Sequence, residues 1–454
     1  MERSAVKTDA IVIGSGQGGV PLAVDLAGSG KSVVLFERAE LGGTCINTGC
    51  TPSKSFLAAA HTAGRARSAS ALGVRGDVTI DFGATMERVR GIIASFREGV
   101  QRRIESAGVR CVHGEASFVD AKTVAAGEHC FTAPLIVIDT GASPAAPPIE
   151  GLASVSYLTD KTFFAQKRLP KRVVVVGGGY IGLELGQGIA RCGARVDIIQ
   201  HADRVLEREE PDVSDVLERA LRADGIALHL ACDVVKVARS GDAIAVTLSN
   251  GTVLAADALL VATGRVPNTA ALRCDAAGIA LDRRGYITID DRFHTTADGV
   301  YAIGDVAGQP AFTHVSWEDY RRVKAILAGK ERTRHDRVLG YAVYTEPQVG
   351  RAGLTLDEAR ASGIPARAVT LPVTNIARGI EWGQELGFYR LVVDERDDRI
   401  LGATLVGYET AELVHVFIAL MEAGATWQTL EQMVGIHPTY GEGLPSLARL
   451  LVHG

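Results

Sequence analysis

Apolar residues open this chain in short unbroken runs, not in strict alternation. The run DAIVIG, residues 9–14, reads as a buried strand, PLAVDLAGSG as a helix after a glycine turn, and SVVLFE as a second buried strand. Solid apolar strands joined through a helix predict a parallel sheet covered on both faces. The same grammar returns in RVVVVGGGYIGLELGQGIARCGARVDIIQ, from Arg172 onward. The chain therefore carries two doubly wound dinucleotide folds. A long helical pattern, about Ala84 to Ala107, and short strands ending at LIVIDTGASP lie between them. The stretch AAPPIEGL reads as a domain boundary, and LLVATGRVPN (259–268) closes the second fold. TTADGVYAIGDVAG (295–308) then returns to strand and turn. From about Val338 helices and strands alternate without glycine fingerprints, which predicts a separate α+β domain.

Composition narrows the function classes. The 454 residues allow two to four domains, and a hydrophobic fraction of 47% supports a large core. A net charge of −5 gives no nucleic-acid footprint. No apolar run reaches membrane-spanning length, and MERSAVKTDAIVIGSG lacks a signal-peptide pattern, so the expectation is a soluble cytoplasmic protein with no membrane partner. Seven scattered cysteines do not form a secreted disulfide framework.

The first fingerprint is Gly14-x-Gly16-x-x-Gly19, between strand and helix. Its glycines permit a tight turn, backbone approach to a pyrophosphate, and close helix–strand packing. Glu37 ends the next strand, 23 residues after Gly14, where a carboxylate can bind ribose hydroxyls. The second fingerprint is Gly177-x-Gly179-x-x-Gly182, and the same count of 23 lands on Gln200. Gln200 does not repel a 2′-phosphate as a carboxylate would, and His201, Arg204 and Arg208 follow it. NADPH is therefore the expected donor, with NADH the alternative. Two nucleotides in one chain imply electron transfer, nicotinamide to flavin. Cys45 and Cys50, in GGTCINTGCTPSKS, fit a metal site, a bridge, a pair of core thiols or a redox catalyst by spacing alone. No second Cys or His pair stands at zinc spacing, so no metal is expected.

GGTCINTGCTPSK, GGGYIGLE, VYAIGDVAG and IHPTYGE together resemble the class I pyridine nucleotide–disulfide oxidoreductases, which include dihydrolipoamide dehydrogenase, glutathione reductase and mercuric reductase. The resemblance implies an α/β fold with two Rossmann-like domains binding FAD and NAD(P)H, plus a C-terminal α+β dimerisation domain. Residues 1–148 would begin the FAD domain, 149–268 bind NAD(P)H, 269–336 complete the FAD domain, and 337–454 dimerise. It places Gly43, Thr44, Ala116 and Thr313 at the flavin, Asp305 at its ribityl chain, and Lys54 with Glu184 near its N5. Tyr180 matches an aromatic gate over the nicotinamide, and Gly264 belongs to the same cofactor set. Cys50 would face the flavin, Cys45 would attack the substrate, and His437 oriented by Glu442 would be the base. Pro438 would be cis, and His437 would come from the partner of a homodimer.

The implied reaction is NAD(P)H-driven, FAD-dependent reduction of a small-molecule or lipoyl-like disulfide. Two other assignments are a dihydrolipoamide dehydrogenase subunit of a larger complex, and a Cu/Hg or quinone reductase. The last cysteine is Cys274, so the C-terminal cysteine pair of mercuric reductase has no counterpart, and Asp25 is the one charge on GVPLAVDLAG. Trp317, Tyr320 and Arg321 are candidates for a distinct substrate surface.

Overall fold

The computed structural model describes residues 5–452, so only the outer ends of the expected first and last domains fall outside it. The first glycine strand, Ala10–Ile13, is wholly buried and lies at the centre of a parallel sheet. Across that sheet the strands run Val300–Ala302, Leu135–Ile138, Ala10–Ile13, Val33–Glu37 and Arg110–His113. The second sheet repeats the pattern around Arg172–Val176, flanked by Arg195–Ile199 and Ala258–Val261, with Ala227–His229 outermost. In both, chain order reverses beside the glycine strand, and the crevice at such a point is where open α/β sheets bind ligands.

The repeat extends to the glycine turns. Gly14 and Gly177 have φ of 106° and 111°, a region that only glycine adopts freely. A Cβ on Gly19 would stand 2.2 Å from the Gly14 carbonyl oxygen, and one on Gly182 would stand 2.0 Å from that of Gly177. Each fold also carries a three-stranded antiparallel meander, Ser117–Asp120 to His129–Thr132 in the first and Val234–Ser240 to Val253–Ala256 in the second. The second meander was not anticipated from the sequence; its outer strands, Val234–Ser240 and Val253–Ala256, are largely exposed, and only the central Ala243–Leu248 alternates cleanly.

The long helix runs Phe82–Ser106, within two residues of the expected span, and its Asp81 cap accepts from the Ala84 amide. The cysteine helix, Cys50–Ser68, packs on the second glycine helix, Tyr180–Arg191. Phe56, Leu57, Leu183 and Ile189 share one core there. A Cβ on Gly188 would lie 2.6 Å from the Phe56 ring, so a glycine at that position permits the close approach. The C-terminal domain is a five-stranded antiparallel sheet, ordered Gly340–Val343, Gln348–Gly353, Ile400–Gly407, Phe388–Asp394 and Ala366–Pro372, with the helix Thr410–Glu422 on one face. Two cis peptides precede prolines, Glu346–Pro347 and the expected His437–Pro438. No helix among the described residues is long and apolar enough to cross a membrane.

Candidate active site

The first glycine turn, the cysteine segment and the start of the second glycine helix converge on one cavity of about 550 Å³. Gly14, Gly16, Glu37, Gly43, Thr44, Cys45, Cys50, Lys54, Ala116, Tyr180, Glu184, Asp305 and Thr313 all line it. Gly19 is buried behind the turn. Gly177, Gly179, Gly182, Gln200, His201 and Gly264 lie outside this cavity, in the second fold.

Glu37 is buried at its strand end. One of its carboxylate oxygens accepts from the Ser15 amide and hydroxyl, at 3.0 and 2.6 Å, and the other from the Ala39 amide at 2.8 Å. Gln200 occupies the same place in the second fold, where its Oε1 accepts from the Gly178 amide at 2.8 Å. Each side chain steadies the glycine turn opposite it. His201 pairs instead with Glu207, at 3.1 Å.

Among the described residues the two cysteines are free thiols, Cys45 half-buried and Cys50 open to the cavity. Cys50 opens its helix and lies 3.0 Å from the Thr313 hydroxyl. A hydrogen bond from the Cys45 thiol, then one from Thr313 and the charge of Lys54, outweigh burial and bring Cys50 down to about 6. The same bond, with burial, pushes Cys45 up. The pair thus holds one proton on Cys45 and the thiolate on Cys50. Lys54 is bound to Glu184 at 2.7 Å and lies 4.5 Å over the Tyr344 ring; burial opposes its charge, but Glu184 keeps it raised. The second Glu184 oxygen accepts from the Tyr344 amide at 2.9 Å.

His437 is bound through Nδ1 to Glu442 at 2.8 Å, and its side chain is 71% exposed. Neither residue lines the cavity of its own chain. The arrangement therefore brings together the thiols and their cation, and sets the candidate base apart.

The residues around the cavity fit FAD. Arg265, half-buried, holds Asp160 at 2.7 Å and stands 3.7 Å from Asp305, and its Nε has no hydrogen-bond partner among the described residues. Burial raises Asp305 despite Arg265, leaving a carboxyl suited to hydroxyl partners. Sequence reasoning missed Arg265 and also Asp139, at the end of LIVID. Asp139 accepts from the Gly18 and Gly19 amides at 3.2 and 2.7 Å and from the Ser316 hydroxyl at 3.2 Å. Burial pushes its carboxyl up to about 8. A carboxylate ending an apolar strand was the available signal. Among the substrate-surface candidates, Tyr320 is buried, packed edge-on to Trp317 at 5.1 Å and bonded to Asp25 at 3.0 Å. Arg321 pairs with Glu318, and none of the three lines the cavity. No group of three or more His, Cys, Asp or Glu among the described residues is placed to hold a metal ion.

Comparison with known proteins agrees with this geometry. Residues 8–319 match the pyridine nucleotide-disulphide oxidoreductase model, and residues 340–448 match the dimerisation domain of the same family. The chain is 34% identical to the probable pyridine nucleotide-disulfide oxidoreductase RclA of Escherichia coli, covering 98% of this chain and 99% of that protein. It is 32% identical to a dihydrolipoyl dehydrogenase of Thermus scotoductus (98% and 97% covered) and 31% identical to a mercuric reductase of Staphylococcus aureus (96% and 81%). The solved Cu(II) complex of the HOCl-induced flavoprotein disulfide reductase RclA from Escherichia coli superposes with a TM-score of 0.90 at 32% identity, covering 98% of this chain and 99% of that one. With its two glycine folds and its thiol pair beside a nucleotide cavity, the chain belongs to the pyridine nucleotide-disulphide oxidoreductases and is a FAD-dependent NAD(P)H:disulfide oxidoreductase.

Proposed function

We propose that this enzyme reduces a small-molecule or lipoyl-like disulfide through Cys45, with NADPH as donor, as a cytoplasmic homodimer. The observation that carries this reading is the asymmetric thiol pair: Cys50 opens its helix 3.0 Å from the Thr313 hydroxyl in the cavity that Lys54 also lines, and Cys45 is half-buried, with His437 outside the chain's own cavity. Bound FAD supplies a two-electron link between NAD(P)H and the Cys45–Cys50 disulfide. In the reduced pair, Thr313 and Lys54 hold the thiolate on Cys50. Cys45 keeps its proton until a base removes it. His437 of the partner subunit takes that proton, with Glu442 fixing the ring, and Cys45 attacks a substrate sulfur. One substrate thiolate leaves and takes the proton from His437. Cys50 then attacks Cys45, which restores the disulfide and releases the second thiolate.

Gln200 supports NADPH. Its oxygen is committed to Gly178, so only its amide N–H groups remain, and a phosphate offers only acceptors. Steady-state kcat/KM for both nucleotides tests this; a preference for NADH above about tenfold, or roughly 1.4 kcal/mol, overturns it. Cys45→Ser should abolish turnover of lipoamide and other small disulfides, and surviving disulfide turnover would defeat the thiol mechanism. A metal-ion reductase using the same thiols is the second reading, supported by the RclA relative solved as a Cu(II) complex. NADPH oxidation driven by Cu(II) but by no disulfide in the panel would favour it. Copurification with a lipoyl-bearing partner would instead indicate a subunit of a larger complex.

A further inference from the structure

Phe312 precedes the helix Thr313–Leu327 and lines the cavity beside Tyr180. Its ring centre lies 5.7 Å from that of Tyr180 and 5.0 Å from that of Tyr341, and the Phe312 and Tyr341 planes differ by only 10°. Tyr341 does not line the cavity; it backs Phe312 from the C-terminal sheet. The Tyr341 hydroxyl donates to Glu209, which is buried and lies in the loop that follows Gln200 and His201. Buried Arg351 holds the other Glu209 oxygen at 3.3 Å and also pairs with Glu358. Three parts of the chain meet in this column: the loop at the outer end of the second nucleotide fold, the C-terminal sheet, and the helix start that touches Cys50. Offset aromatic contacts of this kind fix ring orientation as well as burying area. A phenol donating to a buried carboxylate is a strong, directional anchor.

We propose that Tyr341 is a positioning residue for the nicotinamide: anchored by Glu209, it sets the plane of Phe312 and through it the resting place of Tyr180, the ring expected to cover the nicotinamide. The proposal rests on the reading of the cavity as the meeting point of NAD(P)H and FAD. Burial and the Glu209 charge raise the Tyr341 hydroxyl, so it remains a donor throughout the working pH range. Tyr341 touches no reacting atom. Its effect is confined to the geometry of hydride delivery, where small misplacements are costly.

The test is anaerobic rapid mixing of the FAD-loaded enzyme with NADPH, followed by flavin absorbance. Tyr341→Phe keeps the ring and loses the anchor, and should slow reduction by about fivefold; Tyr341→Leu, which also loses the stack, should slow it further. Reoxidation of the reduced enzyme by hydroxyethyl disulfide should stay within about twofold of wild type in both variants, because the thiols are untouched. Reduction within about twofold of wild type in Tyr341→Leu overturns the proposal. Equal losses in both half-reactions also overturn it, since they mark a merely structural residue. If Tyr341→Leu does not fold, Tyr341→Phe alone decides. Wild-type enzyme that neither NADPH nor NADH reduces would refute the cavity reading itself, a result separate from either variant outcome.

Discussion

Cys45 and Cys50 are the same side chain in different electrostatic surroundings, and their different roles follow from that. Cys50 stands at a helix N-terminus, where partial positive charge favours a thiolate, and adds Thr313 and Lys54. Alkylation of the reduced enzyme by iodoacetamide, mapped by mass spectrometry, should therefore rise at Cys50 as pH climbs through about 6. Lys54→Met removes one of the three supports and should move that rise upward by about one pH unit. It also leaves buried Glu184 without its cation but with the Tyr344 amide, a loss of about 2 kcal/mol readable by urea denaturation. Asp139 gives the opposite sign. Its carboxyl is raised to about 8 in the folded protein, so the folded state keeps a proton that the unfolded chain loses near its ordinary value of 3.8. Stability from this group falls as pH rises between those values. Asp139→Asn keeps the acceptor for Gly18 and Gly19, and the Ser316 hydroxyl can turn to accept from the new amide. The variant should show a flatter dependence of Tm on pH over that window and gain on wild type at its upper end. Glu37 was legible in the sequence because its spacing from Gly14 carries it, whereas the thiols and the His437–Glu442 pair were singled out only by the resemblance of their motifs, spacing alone leaving Cys45 and Cys50 with four readings. Asp139, Phe312 and Tyr341 were not legible, because their burial and partners come from segments far away in the chain.

Elements were legible where one strong periodicity ran for several residues. The first buried strands and the first glycine helix emerged within two residues, and the second glycine fold in its order, since solid apolar runs and glycine turns leave few alternatives. The second meander escaped, because strands such as Val253–Ala256 are mostly exposed and draw their order from pairing. Within the glycine turns, the three positions do different physical work, and the second fold lets these be separated. Gly182 meets backbone, so Gly182→Ala should disturb folding of that domain. Gly179 has φ of −79° and ψ of 176°, which alanine tolerates, and a Cβ there would meet nothing within 4 Å. Gly179→Ala should leave Tm unchanged yet weaken NADPH binding by about tenfold or more, measured by isothermal titration, because the methyl fills space reserved for the pyrophosphate. A fall in Tm to match that of Gly182→Ala would assign Gly179 to packing instead.

At the scale of the molecule, the candidate base is the informative residue. His437 is flanked by Val434 and Ile436, exposed at 89% and 75%, a surplus of apolar surface beside the candidate base. The family's dimerisation domain accounts for it if a second copy covers the loop. Ile436→Asp should yield monomers by analytical ultracentrifugation that still pass electrons from NADPH to flavin but reduce no disulfide. Mixing and reassociating Cys45→Ser with His437→Gln, each inactive alone, should restore activity through hybrid dimers that own one complete site. Failure to recover any activity would place both groups in one chain. The domain order was readable from the duplicated fingerprints, whereas a His437 set outside its own cavity was expected only through the motif resemblance, because its position depends on the path of the whole C-terminal domain. The duplication also bears on how such a chain can change over time. An added Cβ at Gly14, Gly19, Gly177 or Gly182 would stand between 2.0 and 2.5 Å from a backbone oxygen, so a side chain at these sites breaks the fold before any ligand is lost. Glu37 and Gln200 serve the same loop-bracing bond with different charge. One strand-end substitution can therefore change the charge offered to a nucleotide while the brace on the glycine turn stays in place.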